Sequence, residues 1–95
     1  MIVEHAEFTI DLADAEKFEA AFAQAKELLA QTEGFQWVRL HRGIERPTSF
    51  LLLVGWDSVE AHMVSFRESD RFPRWRALIG PYFAETPKVE HYSEV

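Results

Sequence analysis

The hydrophobic and polar positions of this chain follow two different periods. Over Ile2–Ile10 the period is two: Ile2, Ala6, Phe8 and Ile10 take one side, and Val3, His5, Glu7 and Thr9 take the other. Such alternation predicts a half-buried strand, with one interruption, because Glu4 stands on the apolar side. From Asp14 the period lengthens to that of a helix. Phe18, Phe22, Ala25 and Leu29 share a stripe, Glu16 and Glu19 sit near the positive N-terminal end, and Gly34 follows as a stop. Phe35–Arg42 reads as a second strand, and Gly43–Ser49, with Gly43, Pro47 and Ser49 as turn formers, predicts a hairpin-like link to a third, Phe50–Trp56. The third strand has no polar face, as expected of a strand in mid-sheet with both faces covered.

Asp57, with Glu60 three residues on, predicts a helix N-cap and its return contact. The helix is expected to run to about Glu68 with Val59, His62, Met63 and Phe66 on its inward stripe. A second short helix begins after Ser69 or Asp70, takes Pro73 in its first turn and ends at Gly80-Pro81. Beyond the loop Tyr82–Thr86, Pro87 opens a final strand, Lys88–Val95, in which Val89, His91, Ser93 and Val95 alternate with Lys88, Glu90, Tyr92 and Glu94. The order strand, helix, strand, strand, helix pair, strand matches an α+β, ferredoxin-like split βαβ: a four-stranded antiparallel sheet with helices on one face. Residues 1–95 are length enough for one domain and show no linker. The other sheet face, with Val3, part of Leu51–Val54 and one set from the last strand, would lie bare in a monomer. A homodimer closed face to face is the expected cover.

Composition narrows the function classes. Sixteen acidic against ten basic residues leave a net charge of −6, which repels phosphates, so nucleic acid is not an expected partner. The absence of cysteine removes disulfides, thiolate chemistry and cysteine-ligated metals, and favours a cytoplasmic setting. Met1–Ile10 carries Glu4 and Glu7 instead of a basic region before an apolar stretch, and Phe50–Trp56 is far too short to span a bilayer. Neither an export signal nor a membrane span is expected. His5, His41 and His91 fall on three different strands without HxxxH or HExxH spacing, so no metal site is expected. No GxGxxG, phosphate loop or nucleophile elbow occurs.

One pattern is more specific. Leu52-Leu53-Val54-Gly55-Trp56-Asp57-Ser58-Val59-Glu60-Ala61-His62, then Ser69-Asp70-Arg71-Phe72, then Pro87-Lys88-Val89-Glu90-His91-Tyr92 resembles the antibiotic biosynthesis monooxygenase family. The resemblance covers nearly the whole chain in element order and is sharpest at the Trp-Asp-Ser-x-Glu-Ala motif, which is structural first. It implies a dimeric α+β barrel with a pocket in each protomer between helices and sheet. There, cofactor-independent members oxidise polyphenolic or quinol-like small molecules with O2. A base, a dry apolar wall and a donor for developing negative charge are the physical requirements. The groups that fit are His62 as base, Trp75 or Trp37 as wall and donor, Arg76 as cationic partner, and Phe66 and Phe72 as apolar lining. The catalytic set is therefore His62, Arg76 and Trp75, the substrate-binding set Phe66, Phe72 and Trp37, with no cofactor.

A haem-degrading branch of the same superfamily uses an Asn, a Trp and a His in a pattern this chain departs from. Ala6 stands in place of the Asn, Ser65 or Phe66 in place of the Trp, and Trp75 or Arg76 near that of the His. A different class of function, a non-catalytic ligand-binding or dimerisation module, shares the same fold. Bland roles compete with each site assignment as well. His62 could be a core-edge histidine, Trp75 a core ring, and Arg67, Arg71, Arg74 and Arg76 a solvated helix face paired with Glu68 or Asp70. Trp56 is assigned to packing.

Overall fold

The computed structural model describes residues 1–95. Strand β1 (Ile2–Thr9) leads through a 3₁₀ turn at Leu12–Asp14 into helix α1 (Ala15–Ala30). Strands β2 (Phe35–Arg42) and β3 (Ser49–Trp56) form a hairpin. A π-helical turn (Ala61–Phe66), helix α2 (Arg71–Ile79) and a 3₁₀ turn (Gly80–Tyr82) then precede β4 (Lys88–Ser93). All pairings are antiparallel in the order β2-β3-β1-β4, the split βαβ arrangement, with β3 inside the sheet.

The two sides of the sheet differ as the alternation requires. Ala6 and Phe8 of β1 and Phe50, Leu52, Val54 and Trp56 of β3 are buried with Phe18, Phe22, Ala25 and Leu29 of α1. Phe18 meets Phe50 edge-on at 5.0 Å and Phe8 at 5.8 Å between ring centroids, the offset geometry that aromatic quadrupoles favour. On the far side β2 and β3 pair Trp37 with Gly55, Arg39 with Leu53 and His41 with Leu51, while β1 sets His5 against Leu53 and Glu7 against Leu51. Gly55 is there because the Trp37 indole lies where its Cβ would be.

The end of α1 is equally constrained. Gly34 has φ 89°, a left-handed conformation that a side chain resists, and a Cβ on it would come within 2.6 Å of Ala61 Cβ. The segment before β4 is pinned to the end of β1: Ala84 N–H donates to Thr9 O at 2.8 Å, and Phe83 stacks on Phe8 at 4.8 Å. No helix is long and apolar enough to cross a membrane.

The expected helix after Asp57 is altered in two ways. Its side-chain cap is Ser58, whose Oγ accepts the Ala61 N–H at 3.2 Å, while Asp57 accepts a hydrogen bond from Gln36 on β2. Its turn is wide, with the Arg67 N–H reaching back five residues to His62 O at 3.0 Å. The inward set is therefore Ala61, His62 and Phe66, and Val59 and Met63 turn outward, at 39% and 37% exposure. An α-helical period assigned Val59 and Met63 to the core; the π turn rotates them off it.

Candidate functional site

A cavity of about 300 Å³ opens between the sheet and the helices. Its floor comes from alternate residues of the strands, Glu4, Ala6 and Phe8 of β1, Leu52 of β3 and Val89 of β4. Its roof comes from His62 and Phe66 of the π turn, Arg67 beside it, and Phe72, Trp75 and Arg76 of α2, and Phe83, Thr86 and Pro87 form one rim. That size is at the small end of pockets for organic ligands, and the largely apolar lining with few polar groups is typical of them.

Five of the six residues singled out in the sequence come together here: His62, Phe66, Phe72, Trp75 and Arg76. Trp37 does not. It lies on the opposite face of the sheet, opposite Gly55 in the β2–β3 register, because a bulge between Phe35 and Trp37 puts it out of step with core-facing Phe35, Val38 and Leu40. The basic cluster divides. Arg67 and Arg76 reach the cavity and flank Phe72, with guanidinium carbons 5.3 and 5.9 Å from its ring centroid. Arg71 instead donates to Thr32 Oγ1 at 3.2 Å and to Ser65 O at 3.3 Å, and Arg74 is exposed. None of the four pairs with Glu68 or Asp70; the one ion pair formed by an arginine is Arg42–Glu19.

Glu4 is the residue that the sequence reading left without a role. It is 6% exposed on the helix-facing side of β1, beside Trp56 and beneath His62. The Trp56 Nε1–H donates to Glu4 Oε1 at 3.0 Å, so this core tryptophan also holds a carboxyl in place. His62 is 3% exposed and its imidazole stacks on the Trp56 indole at 5.5 Å. Its Nε2 lies 3.3 Å from the same Glu4 oxygen, and its Nδ1 lies 2.8 Å from Nε2 of His91. Both ring nitrogens of His62 are thus engaged. The signal for Glu4 was already in the alternation, as the one charged residue on an otherwise apolar strand face.

Burial dominates the electrostatics. It raises the Glu4 carboxyl from 4.5 to about 7, against the smaller opposing effects of the Trp56 hydrogen bond and the Arg67 charge. Burial also lowers His62 to about 3, aided by the positive charge of Arg67 and by His91, and His91 is lowered by burial and Arg67. The Glu4–His62 contact at 3.3 Å is therefore one between a carboxyl and a neutral imidazole, since neither charge is well solvated. Arg67 carries a buried Nε–H with no hydrogen-bond partner at the cavity wall. A carboxyl near neutrality, a dry aromatic wall and an unpaired cationic donor can take a proton from a bound acid and hold the resulting anion. The donor set does not suit haem: both nitrogens of the cavity imidazole are engaged, and Ala6, Phe66 and Trp75 offer no axial ligand.

Comparison with known proteins accords with this geometry. The family profile described as antibiotic biosynthesis monooxygenase matches residues 1–78. The uncharacterised protein YczJ of Bacillus subtilis (strain 168) is 34% identical over 80 residues, covering 84% of each chain. A solved structure from Bordetella bronchiseptica, named for the same family, superposes with a TM-score of 0.95 at 42% identity, covering 99% of this chain and 96% of that one. SnoaB, a cofactor-independent oxygenase from Streptomyces nogalater, shares the fold with a TM-score of 0.86 at 18% identity, over 99% of this chain and 92% of that one.

Proposed function

Because the chain belongs to the antibiotic biosynthesis monooxygenase family, we propose that it is a cofactor-independent monooxygenase acting with O2 on a small aromatic polyphenol or quinol-like acid. The observation that carries this reading is the Glu4 carboxyl, poised near neutral pH at the wall of an apolar cavity beside Arg67. No metal or flavin is needed if the substrate itself supplies the electrons, and an activated phenol or carbon acid does so once ionised. With Glu4 ionised, its carboxylate removes the substrate proton. The carbanion or phenolate then reduces O2, and for an activated methylene the balance is one O2 consumed, one carbonyl formed and one water released.

The sequence assigned the base to His62. With both its nitrogens occupied, the direct acceptor is Glu4, and His62 orients that carboxyl from behind. Arg67 and Arg76 balance the substrate anion, and Phe66, Phe72 and Trp75 exclude water, which strengthens each electrostatic contact. Homodimerisation through the bare sheet face, with Trp37 and Leu53 in the interface, completes the proposal and leaves the cavity on the other side of the sheet.

The test is oxygen consumption by the purified protein against polyphenols, quinols and anthrone-like compounds. Uptake that Glu4→Gln loses by about 100-fold or more, within the usual range for a general base, supports the enzyme. No uptake on any compound, with ligand binding retained, identifies a non-catalytic binding module instead.

A further inference from the structure

Glu4 and His91 are cross-strand partners in the β1–β4 register, and the His62 ring sits against both. Glu4 lies at the cavity wall and is buried, His62 is buried above it, and His91 is half-buried on the edge strand. Three proton-carrying groups thus run from the cavity to the protein surface, the first pair 3.3 Å apart and the second hydrogen-bonded at 2.8 Å. We infer that Glu4, His62 and His91 form a proton relay that connects the cavity carboxyl to solvent, with His91 as its outer terminus.

The proton count closes at every position. With Glu4 protonated, its O–H donates to His62 Nε2, the His62 Nδ1–H donates to His91 Nε2, and His91 carries its own proton on Nδ1. Passing one proton along each contact leaves Glu4 as a carboxylate accepting from His62 Nε2–H, and His62 Nδ1 accepting from His91 Nε2–H. One proton leaves from His91 Nδ1 to water. No bond other than N–H and O–H changes, neither imidazole becomes an imidazolium in the end states, and each contact has one donor and one acceptor in both. Charge favours this neutral-ring route. The charged side chains at the cavity besides Glu4 itself are Arg67, beside the π turn, and Arg76 of α2, and both cations disfavour an imidazolium while favouring the carboxylate. The groups packed on the trio from β3 and the π turn, Trp56 and Phe66, do not titrate.

The use of the relay in turnover rests on the reading of Glu4 as base: a ligand filling the cavity cuts the carboxyl off from water, and the relay keeps it in exchange. Its existence can be read without any substrate. Nitrogen NMR of the ¹⁵N-histidine-labelled protein between pH 5.5 and 8.5 distinguishes the two nitrogens of each ring and their protonation. The expected result is that His62 stays neutral while the protonated and unprotonated nitrogens of both rings exchange identity at one common midpoint, and that Glu4→Gln abolishes the exchange. His62 fixed in one tautomer throughout, His62 gaining a second proton in this range, or an exchange that persists in Glu4→Gln would each overturn the relay. Oxygen uptake is a separate readout, so coupled tautomer exchange in a protein that turns nothing over would retain the relay and remove the proposed activity.

Discussion

Glu4 Oε1 accepts the indole N–H of Trp56 and meets the imidazole of His62, at 3.0 and 3.3 Å, so one oxygen of this buried carboxyl at the cavity wall has two neighbours. The arrangement divides a single side chain between structure and chemistry. A carboxylate acting as base must be ionised, and burial sets its midpoint near 7. Turnover (kcat/KM) is therefore expected to rise with pH through about 7 and level off above it. A pH–rate profile on the active compound checks this, and a limb rising near pH 4.5 would assign the base elsewhere.

Stability should show the same two groups pulling in opposite directions. Glu4 titrates at about 7 when folded and 4.5 when unfolded, so its contribution is full at low pH and is lost as pH rises from 4.5 to 7. His62 titrates at about 3 when folded and 6.5 when unfolded, so its contribution is present above 6.5 and is lost as pH falls toward 3. Between about pH 4.5 and 6.5 the two slopes cancel. Glu4→Gln removes one of them, and its unfolding free energy should climb by roughly 1 kcal/mol per pH unit across that window while the parent stays level. Urea melts at pH 4.5, 5.5 and 6.5 measure the difference; parallel curves would refute it.

Trp56→Phe keeps a large ring under His62 and deletes the N–H that Glu4 Oε1 accepts. That hydrogen bond favours the ionised carboxyl, so its loss should move the pH–rate midpoint upward by about one unit. The smaller ring also leaves space in the core, at a cost of about 1–3 kcal/mol. A stability loss with an unmoved midpoint would show that the indole only packs.

Leu53 lies on the open sheet face, opposite Arg39 on one neighbouring strand and His5 on the other. Placing a charge at the centre of a sheet-to-sheet interface should separate the protomers. Sedimentation is expected to give twice the 11.1 kDa protomer mass for the parent and a single protomer for Leu53→Glu. A parent that sediments as one protomer would remove the dimer.

Much of this was legible from periodicity, and the exceptions have physical causes. Phe35–Arg42 matches to the residue, and β1, β3 and the start of α1 to within one, because period two and period 3.6 separate cleanly over eight or more positions. The end of β4 was set two residues too far, where Glu94 and Val95 leave the sheet. The π turn was invisible, since a widened turn has the composition of an α-helix and differs only in which side of it faces in. Trp37 matches the cavity by chemistry alone; counted from core-facing Phe35 it shares the inner face, and only the bulge between the two sends it to the other. Glu4 was noticed as a fault in the pattern and left without a role. A carboxyl on an apolar strand face is costly unless it is neutralised or paired, so the fault was itself the strongest pointer to the site.

The π turn at Ala61–Phe66 also bears on how such a site passes through descent. A widened turn is one residue more than an α-helix needs, so the loss of a single codon among Met63, Val64 and Ser65 would restore the ordinary repeat. The segment's two ends, anchored by Ser58 and by Arg71 on Thr32, would still hold, and His62 and Phe66, then three residues apart, would still share one face. The segment thus carries one residue more than the cavity requires, and a loss among its outward three can shorten the chain while the lining residues keep their places.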